Sequence, residues 1–315
     1  MATISDIARR ANVSKTTVSR VLNGRPDVDR ATAERVRQVV AELGFVPSAS
    51  ARALVNGRAK CVGLLIPSLD LAWVLPLVEG VADRVEAREH TLTLHTIARG
   101  EESLAAMSAQ VNARVIDGLV AVVPHGLEDY LRRFVERGLP VALIDDRDLV
   151  PAVPRVWATD RAGGEAAARH LVALDRLPAA TITGPLSTVG GRERLAGFRQ
   201  ALAEAGDELD PSRVREGDWT IAGGRAAMRS LLSDHPDLRA VFAANDLMAI
   251  GAMRAVVDAG RRVPDDVAIV GYDDIPFAAQ MIPALTTVRQ PLAEMAGAAA
   301  AAVLDATAGN PWEPG

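Results

Sequence analysis

From Cys61 to about residue 307 the chain alternates short apolar runs with longer, alanine-rich stretches of helical spacing, and no other feature narrows the fold so far. Cys61–Ile66, Thr91–Thr96, Gly118–Val123 and Val141–Ile144 read as short buried strands, with helices expected between them over 74–88, 101–114 and 127–137. Around Val156–Thr159 the chain crosses over and the pattern restarts: helix 163–174, strand Ala180–Thr183, helix 191–205, a short strand before Glu216, helix 222–233, strand Ala240–Phe242, helix 246–259 and strand Val267–Val270. Parallel strands need a long crossover rather than a tight turn, so this order predicts parallel sheets with helices on both faces. Two such halves imply two lobes with a cleft at the carboxyl ends of their strands. Residues near 287–291 are expected to return to the first lobe, where helix 291–307 packs. No repeat relates the halves at the level of sequence.

The 60 residues before this body are different in kind. Apolar side chains at Ile4, Ile7, Ala8 and Ala11 make one face of a short helix, and Thr3 followed by Asp6 has the shape of a capping box. Asn12 stands where a tight turn needs a residue tolerant of positive φ. Ser14 is placed to cap a second helix, with Val18, Val21 and Leu22 inward and Lys15, Thr16, Thr17, Ser19 and Arg20 outward. This is the layout of a helix-turn-helix, although the apolar spacing alone fits any two-helix hairpin. A third helix starts at Asp29 or Thr32 and stops at Gly44, closing a small three-helix core. Residues 1–60 hold 11 Lys+Arg against 5 Asp+Glu in a chain whose net charge is −5. A basic head on an acidic body suits an N-terminus that alone touches a polyanion, and equally suits a solvated surface of mixed charge.

The string TISDIARRANVSKTTVSRVLNG resembles the N-terminus of the LacI/GalR family of transcriptional regulators, and the resemblance runs over nearly the whole chain. It implies an N-terminal all-α helix-turn-helix head plus an α/β two-lobed, periplasmic-binding-protein-like domain with parallel sheets. The expected division is a DNA-binding head over 1–46, a hinge over 47–60, and an effector-binding and dimerisation domain over 61–315. Within the last, lobe 1 takes about 61–159 plus 290–315 and lobe 2 about 160–289. In the head, Lys15, Thr16 and Arg20 are expected at base edges in the major groove, and Thr3, Thr17, Ser19 and Asn23 at phosphates. The segment SASARALVNGRAK resembles the family's hinge helix, in which Leu54 aligns with a leucine that wedges between base steps of the minor groove; Ser48 stands where asparagine is usual. One head reads only a few base pairs, so the expected partner is near-palindromic double-stranded DNA held by a homodimer.

GPLSTVGGRERLAGF, REGDW, AANDLMAIGAM and VGYDD are close in type and order to sugar-responding members of the family. That resemblance implies an effector site formed by Arg192, Trp219, Asn245 and Asp273 from the second lobe, by Trp73 and Asp145 from the first, and by Asp160 near the crossover. Arg192 would pair with sugar hydroxyls, Trp219 would lie against the apolar face of a sugar ring, and Asn245 and Asp273 would bond further hydroxyls. Arg194 is expected in a structural ion pair instead. On the residues alone a Trp is more often core than platform, and Asp273 and Asp274 could cap a helix. The first-lobe side departs from the family: Leu71-Ala72-Trp73-Val74 replaces the usual Asn-Pro-aromatic-aromatic, and Asp146-Arg147 the usual Arg after an acidic residue.

The expected function is a transcriptional repressor controlled by a small-molecule effector, a sugar or sugar derivative acting as inducer. The alternatives are a nucleobase-like corepressor or a phosphorylated partner protein. An enzyme is not expected: there is no P-loop, GxGxxG, HExxH or GxSxG, and the five histidines are scattered without metal-ligand spacing. No cofactor or metal is expected. A single cysteine, the lack of an apolar leader and the lack of a membrane-length apolar run lead us to expect a cytoplasmic protein with no membrane partner.

Overall fold

The computed structural model describes residues 2–22, 25–45, 59–69, 71–122, 126–145 and 153–310. The head consists of α1 (Ile4–Ala11), α2 (Lys15–Leu22) and α3 (Arg30–Glu42). Its core is the inward stripe of all three, led by Ile7, Val18 and Val36. Local chemistry sets each boundary. The Asp6 amide donates to Thr3 Oγ1 while the Thr3 amide donates to Asp6 Oδ2, so the capping box closes with Asp in place of Glu. Asn12 ends α1 at φ 53°, and Asp29 caps α3 by accepting from the Thr32 amide at 2.9 Å. Arg35 Nε reaches across to the Ala11 carbonyl at 3.0 Å, which ties α3 to the turn.

The body carries two five-stranded parallel sheets. The first is built from β1 (Cys61–Ile66), β2 (Thr91–Thr96), β3 (Gly118–Val122), β4 (Val141–Ile144) and β5 (Arg155–Val156), with α4 (Val74–Glu86), α5 (Glu101–Asn112) and α6 (Glu128–Glu136) between them. The second is built from β6 (Ala179–Thr183), β7 (Val214–Glu216), β8 (Ala240–Ala243), β9 (Ala268–Asp273) and β10 (Thr286–Arg289). Its helices are α7 (Asp160–Ala173), α8 (Val189–Glu204), α9 (Ile221–Asp234) and α10 (Asp246–Asp258). Their spatial orders are β2-β1-β3-β4-β5 and β10-β9-β8-β6-β7, which is one topology used twice. Each order reverses beside its first strand, and ligands of such sheets bind where the order reverses, beyond the carboxyl ends of the strands. Apolar clusters cover both faces of both sheets, which is why β1, β3, β4, β6, β8 and β9 are buried along their whole length.

Four boundaries differ from those the sequence predicts. Helices expected from residues 163 and 191 begin earlier, at Asp160 and at Val189, where the Thr188 hydroxyl caps the first turn by accepting from the Gly191 amide. A Cβ on Gly164 would stand 2.1 Å from the Arg194 carbonyl oxygen, and one on Gly197 1.9 Å from that of Arg161, so α7 and α8 lie almost backbone to backbone. Strand β9 runs on to Asp273 rather than ending at Val270. Residues 287–289, expected in the return to the first lobe, still pair with β9; the return starts at Gln290 and leads into α11 (Leu292–Ala308), which packs on the first sheet beside α4. No helix of the described residues is long and apolar enough to cross a membrane.

Candidate functional site

The outer face of α2 carries Lys15, Thr16 and Arg20, all exposed, opposite the buried Val18 and Val21. The Thr17 amide donates to Ser14 Oγ at 3.0 Å, which caps α2, and the two hydroxyls lie 2.9 Å apart. Thr17 and Ser19 are half-buried beside this cap, and Thr3 is exposed at the start of α1. Arg20 Nη1 sits 3.1 Å from Asp27, with both side chains more than half exposed. Such a pair contributes well under about 1 kcal/mol, so a phosphate or a base edge can displace the carboxylate. Asn23, Ser48 and Leu54 lie outside the described residues.

Between the lobes lies a cavity of about 260 Å³. The first lobe supplies Pro67 and Asp145, which follow β1 and β4, together with Leu71, Trp73, Trp157 and Leu292. The second supplies Asp160, Asn245 and Asp273, the first turn of α8 through Thr188, Val189 and Gly190, and also Arg194 and Trp219. Gln290, on the segment joining the lobes, completes the wall. Three of the chain's four tryptophans are on this list, in a sequence only 3% aromatic. Broad apolar ring faces around a few fixed polar groups make a binding site rather than a leftover void.

Each polar group is held by its element. Arg194 lies one turn into α8 and is buried. Its Nε donates to Asp160 Oδ1 at 2.9 Å, its Nη1 donates to the Ala244 carbonyl at 2.6 Å, and Nη1 stands 3.6 Å from Asp273 Oδ1. The guanidinium covers the Tyr272 ring at 3.7 Å and lies 5.6 Å from that of Trp219. Burial opposes its charge, but Asp273 and Asp160 outweigh that and hold its pKa above the ordinary arginine value. Asn245 caps α10: its Oδ1 accepts from the Met248 amide at 2.9 Å and its Nδ2 donates to the Trp219 carbonyl at 3.1 Å. One N–H and one lone pair of that amide are left for a ligand. Trp219 fits only because Gly184 lacks a side chain; a Cβ there would be 2.0 Å from the indole ring.

Asp145 at φ 58°, Trp219 at φ 67° and Asp273 at φ 116° all occupy the left-handed region that L-residues avoid, and all three line the cavity. Strain of that kind persists where surrounding contacts fix it, and it gathers at ligand sites. Burial also pushes Asp273 up to about 7, despite the nearby Arg194. Asp246, behind the cavity wall, is raised to about 6 by burial while accepting from the Thr287 hydroxyl and the Ile275 amide.

The structure places two arginines differently from expectation. Arg192 is exposed, is not among the residues lining the cavity, and donates Nη1 to the Leu186 and Ser187 carbonyls, each at 2.9 Å. Arg194, expected only in an ion pair, makes that pair and lines the cavity as well. Trp73, Asp145, Asp160, Trp219, Asn245 and Asp273 are brought together. Trp157 and Gln290 escaped the sequence reading. Trp157 belongs to the crossover, which has no periodicity to mark it, and Gln290 directly follows an edge strand.

Residues 3–48 match the bacterial regulatory proteins of the lacI family, and residues 59–307 match the periplasmic binding proteins and sugar binding domain of the LacI family. The chain belongs to the LacI family. It is a DNA-binding transcriptional regulator with a helix-turn-helix head and a two-lobed body. This LacI-family chain is 37% identical over 320 residues to the HTH-type transcriptional regulator CelR of Thermobifida fusca, covering 99% of this chain and 94% of CelR. It is 35% identical over 321 residues to the HTH-type transcriptional repressor PurR of Escherichia coli O139:H28, covering 100% of this chain and 93% of PurR. Among solved structures, the lac repressor dimer bound to operator and the anti-inducer ONPF superposes with a TM-score of 0.86 at 30% identity, covering 98% of this chain and 93% of that one. A CelR–cellobiose complex superposes with a TM-score of 0.75 at 35% identity, covering 100% and 95%.

The raised Asp273 gives a pH signature. The folded protein keeps a proton there that the unfolded chain, with a carboxyl near 3.8, releases at lower pH. The stabilisation this proton brings is complete below about pH 4 and is lost as the pH rises through about 7. Thermal unfolding of wild type and Asp273→Asn should therefore diverge, the wild-type Tm falling relative to the variant between about pH 4 and about pH 7 and running level with it above that. A constant difference across that range would contradict the assignment.

Proposed function

We propose that this regulator is a repressor whose hold on operator DNA is released by an uncharged saccharide in the cavity between the lobes. The observation that carries the reading is the cavity itself. Three indole rings offer apolar faces to ring C–H groups, while Asp273, Asn245 and Arg194 offer acceptors and donors for hydroxyls. Among the residues lining it, Asp145, Asp160 and Asp273 stand against a single cation, Arg194, which already faces two of them. The CelR relative, whose complex is with cellobiose, supports the same ligand class.

The proposed division of labour follows from the chain's order. A head over 1–46 places Lys15, Thr16 and Arg20 at base edges and Thr3, Thr17, Ser19 and Asn23 at phosphates. A hinge over 47–60 sets Leu54 into the minor groove. A body over 61–315 pairs two copies, with lobe 1 of 61–159 plus 290–315 and lobe 2 of 160–289. Ligand held by both lobes favours one closure angle over another, and that choice moves the lobe to which the hinge is attached. A coupling of about 1–3 kcal/mol alters occupancy by one to two orders of magnitude.

The test begins with operators selected from random duplexes by the purified full-length protein. A panel of cellobiose, lactose, glucose, hypoxanthine and guanine is then read by thermal shift and by Trp fluorescence. At least one saccharide should raise the Tm, quench or shift the fluorescence, and weaken operator binding about tenfold or more. A nucleobase that stabilises the protein and tightens operator binding, with no saccharide effect, would replace this reading by a corepressor.

The head is tested separately. Arg20→Ala and Lys15→Ala should each relax base preference in the selected site by about 1–3 kcal/mol, with the Tm of the body unchanged. Selection of the same site at the same affinity by both variants would show that α2 does not read sequence.

A further inference from the structure

Asp246 is the first residue of α10, directly after Asn245, and its side chain is completely buried without being among the residues that line the cavity. Both carboxylate oxygens are engaged. Oδ2 accepts from the Ile275 amide at 2.8 Å, and Oδ1 accepts from the Thr287 hydroxyl at 2.5 Å. Thr287 is the register partner of Gly271 across the β9–β10 pair. A Cβ on Gly271 would stand 2.2 Å from Asp246 Oδ1, so the missing side chain opens the slot that the carboxylate fills. The free amides at the start of a helix also favour a negative charge there. Three segments, α10, β10 and the chain beyond β9, thus meet at one buried carboxylate.

The chain beyond β9 is where that meeting point matters. Asp273 at φ 116° and Asp274 at φ 61° are consecutive L-residues in the left-handed region, and Ile275 follows them. Such a turn relaxes unless contacts on both sides hold it. On one side, the Gln290 amide donates to the Asp273 carbonyl at 3.3 Å, and Arg289, 80% exposed, donates Nε to Asp274 Oδ2 at 2.7 Å. On the other side stands the bond from the Ile275 amide to Asp246, which is charge-assisted and shielded from water. Asp273, the first residue of this turn, lines the cavity.

We infer that Asp246 is a positioning residue for the effector: by fastening the Ile275 amide and the Thr287 hydroxyl it holds the 273–275 turn, and through it the Asp273 carboxylate, in the geometry that meets the ligand. The inference rests on the reading of the cavity as the effector site and concerns a group that does not itself touch the ligand. It gives a role to a buried carboxylate that neither lines the cavity nor pairs with Arg194. Asn245 is the neighbouring residue, so α10 and the end of β9 present their ligand groups from a single fastening point.

The experiment uses the full-length protein and the panel of cellobiose, lactose, glucose, hypoxanthine and guanine. The readouts are Kd by Trp fluorescence for whichever compound binds wild type, and the Tm without ligand. Asp246→Ala removes both bonds and should weaken binding about tenfold or more. Asp246→Asn keeps an oxygen for the Ile275 amide and offers its nitrogen to the Thr287 hydroxyl, so its Kd should stay within about threefold of wild type. Two controls separate positioning from loss of packing. Leu202→Ala, in the core on the α7–α8 face of the same sheet, should lower the Tm yet leave Kd within about twofold. In an Asp273→Asn background, Asp246→Ala should cost less than about twofold in Kd while its effect on Tm persists, as expected of a residue that acts through Asp273. If Asp246→Ala does not fold, Thr287→Val, which removes one of the two bonds, takes its place and should weaken binding about threefold or more. Binding unchanged in the bond-removing variant, lost equally in Asp246→Asn, or weakened as much in the Asp273→Asn background overturns the inference and leaves the cavity's function intact. Failure of all five compounds to bind wild type overturns the effector reading of the cavity, and this inference with it.

Discussion

The second lobe is organised around one buried charge. The Arg194 guanidinium touches four parts of the fold at once: Asp160 at the start of α7, the Ala244 carbonyl after β8, Asp273 at the end of β9, and the Tyr272 ring. Removing water from a guanidinium is costly unless its charge and its N–H groups are met; here Asp160 and the Ala244 carbonyl accept from Nε and Nη1, and Asp160 and Asp273 face the charge. Breaking such an arrangement by deleting one partner costs about 3–5 kcal/mol, a large share of a domain's net stability. The same contacts bring Asp160, Asp273 and Trp219 to the cavity, so the stability of the lobe and the shape of its ligand wall have one origin. This is also why glycine recurs around it. Gly164 lets α7 approach the Arg194 backbone, and Gly163 gives way to the Tyr272 ring, where a Cβ would be 2.4 Å away.

The two lobes share a topology without sharing a sequence, and that shapes the cleft. Each sheet ends its strands toward the cavity, and each contributes groups from residues just beyond those ends. The contributions are unequal. Lobe 2 brings the buried polar set, while lobe 1 brings Trp73, Trp157, Leu71 and Asp145, a more apolar wall. A ligand anchored in lobe 2 therefore gains from closure mainly by covering its apolar face, a non-directional contribution of about 25 cal/mol per Å². On the proposed reading, this lets hydroxyl recognition and closure be tuned separately.

Much of this was legible from residue pattern, and what was missed has specific causes. Strands such as Cys61–Ile66 and Val141–Ile144 were read to the residue because fully buried parallel strands are short, continuous apolar runs bounded by polar turns. The first turns of α7 and α8, Asp160-Arg161-Ala162 and Val189-Gly190, carry no apolar stripe, so the pattern starts those helices late, at Gly163 and Gly191. The different placement of Arg192 and Arg194 is legible in helical periodicity. With α8 starting at Val189, Arg194 shares a face with Gly191, Gly197, Phe198 and Ala201, which are buried. Arg192 lies off that stripe, and helical periodicity outranks motif alignment there. Trp157 and Gln290 carried no such signal, since each sits in a segment that crosses between lobes, where neither strand nor helix period applies.

On the proposed reading, Arg194, and not the neighbouring Arg192, joins the second lobe's packing to ligand recognition. Thermal unfolding and saccharide titration of Arg194→Lys and Arg192→Lys test it directly. A lysine cannot reproduce a guanidinium that bonds two directions while lying flat on Tyr272, so Arg194→Lys should lower the Tm and weaken saccharide binding about tenfold or more, while Arg192→Lys changes neither. Loss of saccharide binding in Arg192→Lys, with Arg194→Lys unaffected, would contradict the account.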